Sequence, residues 1–95
     1  MPTFVMFGTY SPESLRAISR KRSDEARALI NQHGGEIKAE YVLLGEIDLV
    51  VIVELPDTER AIQVAVALTR LLGVHFTTAP AVTIEEFDRL MSRWD

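Results

Sequence analysis

The strongest pattern in the chain lies near its middle, where Ile47, Leu49, Val51, Val53 and Leu55 alternate with Asp48, Val50, Ile52 and Glu54. Alternate side chains of a strand point to opposite faces. Ile47–Leu55 is therefore predicted to be a strand with one wholly apolar face and a second face that is apolar at its centre. Such a strand needs cover on both sides.

The flanking segments supply further elements. Thr3 to Tyr10 is rich in β-branched and aromatic residues and reads as a first strand. Ser11 and Pro12 then form a helix start, and Leu15, Ile18, Arg22, Ala26, Leu29 and Ile30 recur at helical spacing. One helix is predicted from here to the Gly34-Gly35 stop. Glu36 to Leu44 alternates again, with Ile37, Ala39, Tyr41 and Leu43 on one face and Glu36, Lys38 and Glu40 on the other. Gly45-Glu46 suits a tight hairpin into Ile47–Leu55. Asp57 caps a helix over Thr58 to Leu72, which Gly73 ends; Val74 to Val82 forms a fourth strand, with Pro80 near its end. Thr83 and Glu86 have the spacing of a capping box for a last helix, Ile84 to Trp94, with Phe87, Leu90 and Trp94 on its apolar face.

Strand–helix–strand–strand–helix–strand is the order of an α+β, ferredoxin-like fold, here with an additional C-terminal helix. Both main helices then cover one face of a four-stranded antiparallel sheet. The other face carries Val50 and Ile52 together with either the Val5/Phe7 or the Phe4/Met6 pair. Large exposed apolar patches mark interfaces, so the expectation is a homodimer or higher homo-oligomer formed through the sheet face. The alternative is cover by the C-terminal helix alone.

Composition narrows the function classes. The 95 residues suit one domain, since domains run to about 100–150 residues. With no cysteine, disulfides, thiolate metal sites and cysteine nucleophiles are excluded, and a cytoplasmic location is expected. No signal peptide and no run of ~20 apolar residues is visible, so no membrane partner is expected. The net charge of −4 gives a nucleic-acid role no support. Arg16, Arg20, Lys21, Arg22 and Arg27 do make the first helix basic, but Arg20 with Asp24 and Lys21 with Glu25 are i,i+4 pairs that offset part of that charge. A solvated face is the preferred reading of it.

Arg22 stands out because it falls on the apolar stripe of that helix, where a charge needs a partner or a path to water. It can anchor an anion between helix and sheet. It can equally lay its stem on apolar surface and pair with Asp48 or Glu25. Asp48, His75 and Tyr41 complete the candidate ligand-binding set, with His75 or Asp48 as the candidate general base of a catalytic alternative. Asp48 and Glu54 share a strand face about 20 Å apart, too far for a carboxylate pair that works at roughly 5–9 Å. No metal-ligand set is expected from His33 and His75 alone, and no cofactor is implied.

Gly45-Glu46-Ile47-Asp48, the apolar run to Leu55-Pro56-Asp57, Arg22 with its following alanines, Gly34-Gly35, Tyr41, Gly73-Val74 and Thr77-Thr78 together resemble the GYD-domain family of small bacterial and archaeal proteins. The family is named for a Gly-Tyr-Asp; Ile47 stands where the tyrosine would be, so no phenol hydroxyl is present at that position. Ala79-Pro80-Ala81 also departs from the family, which often carries an arginine there. The resemblance implies a dimeric α/β barrel of ferredoxin-like units and implies no particular activity. The expectation for function is a small self-associating module, non-catalytic, that binds a ligand or partner. The alternative is a cofactor-independent enzyme acting on a small acidic or aromatic metabolite.

Overall fold

In a computed structural model the described residues are 1–93. They form β1 (Thr3–Tyr10), α1 (Pro12–Arg16), α2 (Arg20–Gln32), β2 (Glu36–Val42), β3 (Leu49–Glu54), α3 (Thr58–Leu72), β4 (Val74–Ala81) and α4 (Ile84–Ser92). The strands pair antiparallel in the order β2-β3-β1-β4. This is the α+β, ferredoxin-like arrangement expected from the order of elements.

The core lies between the sheet and helices α2 and α3. Phe4, Met6, Val51, Val53 and Leu55 project from the sheet onto Ile30 of α2 and Ala61, Val64 and Leu68 of α3. Burying each large aliphatic side chain of this kind contributes about 1.5–3 kcal/mol relative to exposure. Asp57 caps α3 by accepting from the Arg60 N–H at 2.8 Å, and Gly73 ends the helix at φ 69°, a conformation open to glycine. Gly35 is needed for another reason: a Cβ there would lie 2.5 Å from Leu55 Cδ2, so the chain leaving α2 could not pass this close to the core.

Four sequence expectations need correction. The first helix is two helices. Ala17 ends α1, and Ser19 adopts extended backbone and caps α2 by accepting from the Arg22 N–H at 3.2 Å. Serine competes for backbone donors in this way, so it starts helices more readily than it continues them. The tight hairpin at Gly45-Glu46 is instead a connection spanning residues 43–48, closed by Leu43 N–H to the Asp48 carbonyl at 2.8 Å.

The third correction concerns β2. Ile37 pairs with Val53, but Ala39 pairs with Ile52, so a bulge falls between them. The extra residue exchanges the faces. Ile37 and Glu40 turn toward the helices, while Ala39 and Tyr41 turn away, breaking the single apolar row predicted for Ile37, Ala39 and Tyr41. The fourth concerns α4. Thr83 accepts from the Glu86 N–H at 3.1 Å, but the Glu86 carboxylate pairs with Arg89 instead of closing the predicted box. Trp94 lies outside the described residues.

On the outer face, Phe7 sits between Val50 and Thr77, and Val5 between Ile52 and Ala79. The Val5/Phe7 pair is therefore the outer one, and Phe4 and Met6 belong to the core. Val5, Phe7, Val50 and Ile52 are half-buried within one chain. Helix α4 does not complete their cover: none of its own residues is buried, and Ile84 is 74% and Phe87 49% exposed.

Candidate ligand-binding cleft

The break between α1 and α2 opens a space over the sheet. A cavity of ≈ 360 Å³ lies there, bounded by α2, β2, β3 and the end of α3. Its floor and walls are largely apolar, with Ala26, Ile30, Val51, Leu68, Leu72 and Phe76 among them. Tyr10, Arg22, Arg27 and Glu40 supply polar groups. A few polar groups on an apolar wall are what a small-molecule site requires.

Arg22 reaches the cavity because it is placed one turn before Ala26 and two before Ile30 on the same helix face. Its guanidinium takes neither of the carboxylates considered for it. An Nη2 N–H donates to the Leu71 carbonyl at the C-terminal end of α3, where a cation also meets the negative end of the helix dipole. Glu25 lies 3.9 Å from Lys21 instead. The Asp48 carboxylate accepts from the Tyr10 backbone N–H at 2.9 Å and so fixes the end of β1 against the start of β3.

Arg27 is neutralised where it stands, 2.7 Å from Glu40 and 3.1 Å from Asp24. Asp24 is thus engaged by Arg27, not by Arg20 as the i,i+4 spacing suggested. These contacts hold the Arg27 guanidinium even more firmly protonated than usual, the hydrogen bond to Glu40 foremost. Burial raises the Tyr10 phenol above its ordinary value of 10.0, with the Asp48 charge adding to the effect. Tyr10 borders the cavity, and the same effects favour the neutral form of its phenol.

Of the four candidate ligand-binding residues, two border the cavity. Arg22 lines it directly; Tyr41 touches it at the rim, since its pairing with Val50 turns it outward. Asp48 and His75 are outside the lining. His75 is an exposed outer residue opposite Thr9, and β1 runs between it and Asp48. Two strand spacings, about 10 Å, separate those backbones, and no hydrogen bond joins the side chains among the described residues. Tyr10, Arg27 and Glu40 were missed by sequence reasoning. The bulge conceals Glu40, which simple alternation assigns to the opposite side.

A second cavity of ≈ 270 Å³ lies between α3 and β4, with Ile62, Val66 and Thr78 in its wall and no charged side chain. The Thr78 hydroxyl there is buried without a partner. Among the described residues, no three His, Cys, Asp or Glu side chains gather to hold a metal ion, and no helix is long and apolar enough to cross a membrane.

Comparison with known proteins agrees with this architecture. The model of a family described as the GYD domain matches residues 4–91. No curated protein matches the sequence. The leucine response regulatory protein LrpA of Mycobacterium tuberculosis is similar in structure, with a TM-score of 0.57 at 13% identity over 86% of this chain and 51% of that one. A crystal structure of a glutamate-to-alanine mutant is similar at a TM-score of 0.56 and 15% identity, over 86% of this chain and 50% of the other. The chain thus spans about half the length of these solved chains, and at such identities the likeness is one of fold.

Proposed function

The chain belongs to the GYD-domain family, and on that premise we propose that it is a self-associating domain that holds a small molecule between its helices and its sheet. Residues 1–95 act as one domain, in the cytoplasm, a setting its cysteine-free sequence suits. The observation that carries the reading is the ≈ 360 Å³ cavity with Arg22 in an otherwise largely apolar wall. That volume falls within the range of small-molecule sites.

Self-association rests on the outer sheet face. Val5, Phe7, Val50 and Ile52 form a continuous apolar centre that neither α2, α3 nor α4 covers. Packing two such sheets face to face removes both patches at once and gives a dimeric α/β barrel. The neighbouring LrpA is a regulatory protein by its name, which suits a binding role better than a catalytic one. The enzyme alternative loses its expected geometry, since neither His75 nor Asp48 lines the cleft.

Two measurements test the proposal. Light scattering after size exclusion is expected to give a dimer mass at micromolar concentration; a clean monomer removes the self-association half. A thermal-shift screen of small fragments is expected to find stabilising compounds that lose their effect in Ala26→Phe, which fills the cavity. A screen with no such compound ends the ligand-binding half.

A further inference from the structure

We infer that the ligand of the cleft is an apolar monocarboxylate without an ammonium group, and that Arg22 receives its carboxylate. The inference rests on the ligand-binding reading above and names the chemistry that reading leaves open.

The charges around the cavity decide its class. Two guanidinium groups and one carboxylate border it. Arg27 and Glu40 satisfy each other at 2.7 Å, and Asp24 adds a second acceptor to Arg27. Arg22 remains. It gives one N–H to the Leu71 carbonyl, and no carboxylate neutralises it among the described residues. A guanidinium carries five donors in a planar fork, so N–H groups are left over, and a carboxylate accepts two of them side by side. The N-cap residue of α2, Ser19, also borders the cavity, which puts the positive end of that helix dipole beside it. One uncompensated cation matches one negative charge and leaves a phosphate dianion undercompensated.

The rest of the ligand must suit Ala26, Ile30, Val51, Leu68, Leu72 and Phe76. An aliphatic or aromatic body does so by displacing water from apolar surface. An ammonium does not. The charged side chains of the lining, Arg22, Arg27 and Glu40, already carry one positive charge in excess, and the charge of its one carboxylate, Glu40, is offset by Arg27. An ammonium would add a second uncompensated cation beside Arg22, and like charges repel more strongly where water is displaced. Amino acids are therefore disfavoured against the corresponding plain acids.

Isothermal titration of the 95-residue chain with four matched probes tests this: 3-phenylpropionate, its primary amide, phenylalanine and 3-phenylpropylamine. The acid is expected to bind at least about tenfold more tightly than the amide, as a charge-assisted pair to Arg22 implies, and the two amines more weakly still. Arg22→Gln should remove most of the acid's advantage over the amide; Arg22→Lys should restore part of the difference. Circular dichroism and the melting temperature of each variant serve as the control for folding. Equal binding of acid and amide, or an equal loss of both in Arg22→Gln, overturns the monocarboxylate class while the cleft stands as a binding site. Binding of phenylalanine above 3-phenylpropionate overturns it too. Fragments that bind the cavity while all four probes fail also overturn the class, whereas an empty fragment screen takes the underlying reading with it.

Discussion

On the helix-covered side of the sheet, Met6, Val53 and Leu55 lose all exposure to solvent. On the other side, Val5, Phe7, Val50 and Ile52, from the same two central strands, stay half-buried. The side chains are of the same kind; what differs is what lies over them. Helices α2 and α3 complete the inner layer within one chain, while no element of the described residues completes the outer one, which the proposed dimer would cover. The contrast teaches that hydrophobic residues report where cover is required, not which chain provides it.

The largest effect is expected on the inner side. Leu55→Ala should destabilise the fold by about 3 kcal/mol, since the side chain is wholly buried among core residues that cannot collapse freely. Urea unfolding at fixed protein concentration measures it, and a loss below about 1 kcal/mol would erase the contrast between the faces. Next comes the outer side. Val50→Lys should turn the proposed dimer into a monomer and abolish the rise of the unfolding midpoint with protein concentration, a linkage worth about 2.7 kcal/mol at a hundred times the dissociation constant. A Val50→Lys chain that still unfolds at a concentration-dependent midpoint would show that the sheet centre is not the interface.

A smaller effect sharpens the comparison at the sheet's end, where Tyr10 and Asp48 meet. Burial and the Asp48 charge raise the Tyr10 pKa in the folded state above 10.0. Between the unfolded and folded values the native state therefore binds more protons than the unfolded one, and stability falls as pH rises. That contribution is intact below pH 10 and is lost as pH climbs through the folded value. Tyr10→Phe should flatten this part of the slope above pH 10 in paired urea titrations; an unchanged slope removes the assignment. The smallest effect belongs to α4. Thr83→Ala removes a cap worth ~1 kcal/mol to that helix, yet no residue of α4 is itself buried, so the global midpoint should stay put while hydrogen exchange in residues 84–92 accelerates.

Much of this fold is legible in the sequence because local chemistry and packing agree. β1 and α3 have the bounds that Thr3–Tyr10, Asp57 and Gly73 suggest, since cap, periodicity and stop all point the same way. The region around α1 and α2 is harder. Ser19 lies on a plausible helical stripe, and only its backbone competition for the Arg22 N–H reveals a second start. Leu15 and Ile18, which sustained the single-helix pattern, prove to be largely exposed. Arg22 was legible as the polar exception on an apolar face. Its partner was not, because a helix-terminal carbonyl leaves no mark in a list of side chains. Glu40 and Tyr41 were assigned to the wrong sides for one reason, the irregular pairing between Ile37 and Ala39.

That irregularity has a consequence of its own. Over the same stretch β2 holds one residue more than the strand it pairs with, a matter of parity: an odd surplus reverses every later side chain, and an even one would reverse none. Were the ladder to pair regularly past Ile37, Tyr41 would swing into the cleft and Glu40 would leave Arg27 for the opposite side. Deleting Lys38 would remove the surplus yet leave Ala39 to Val42 facing as they do now. A deletion at Glu40 would instead turn the strand's end over, and with it the polar lip of the cleft.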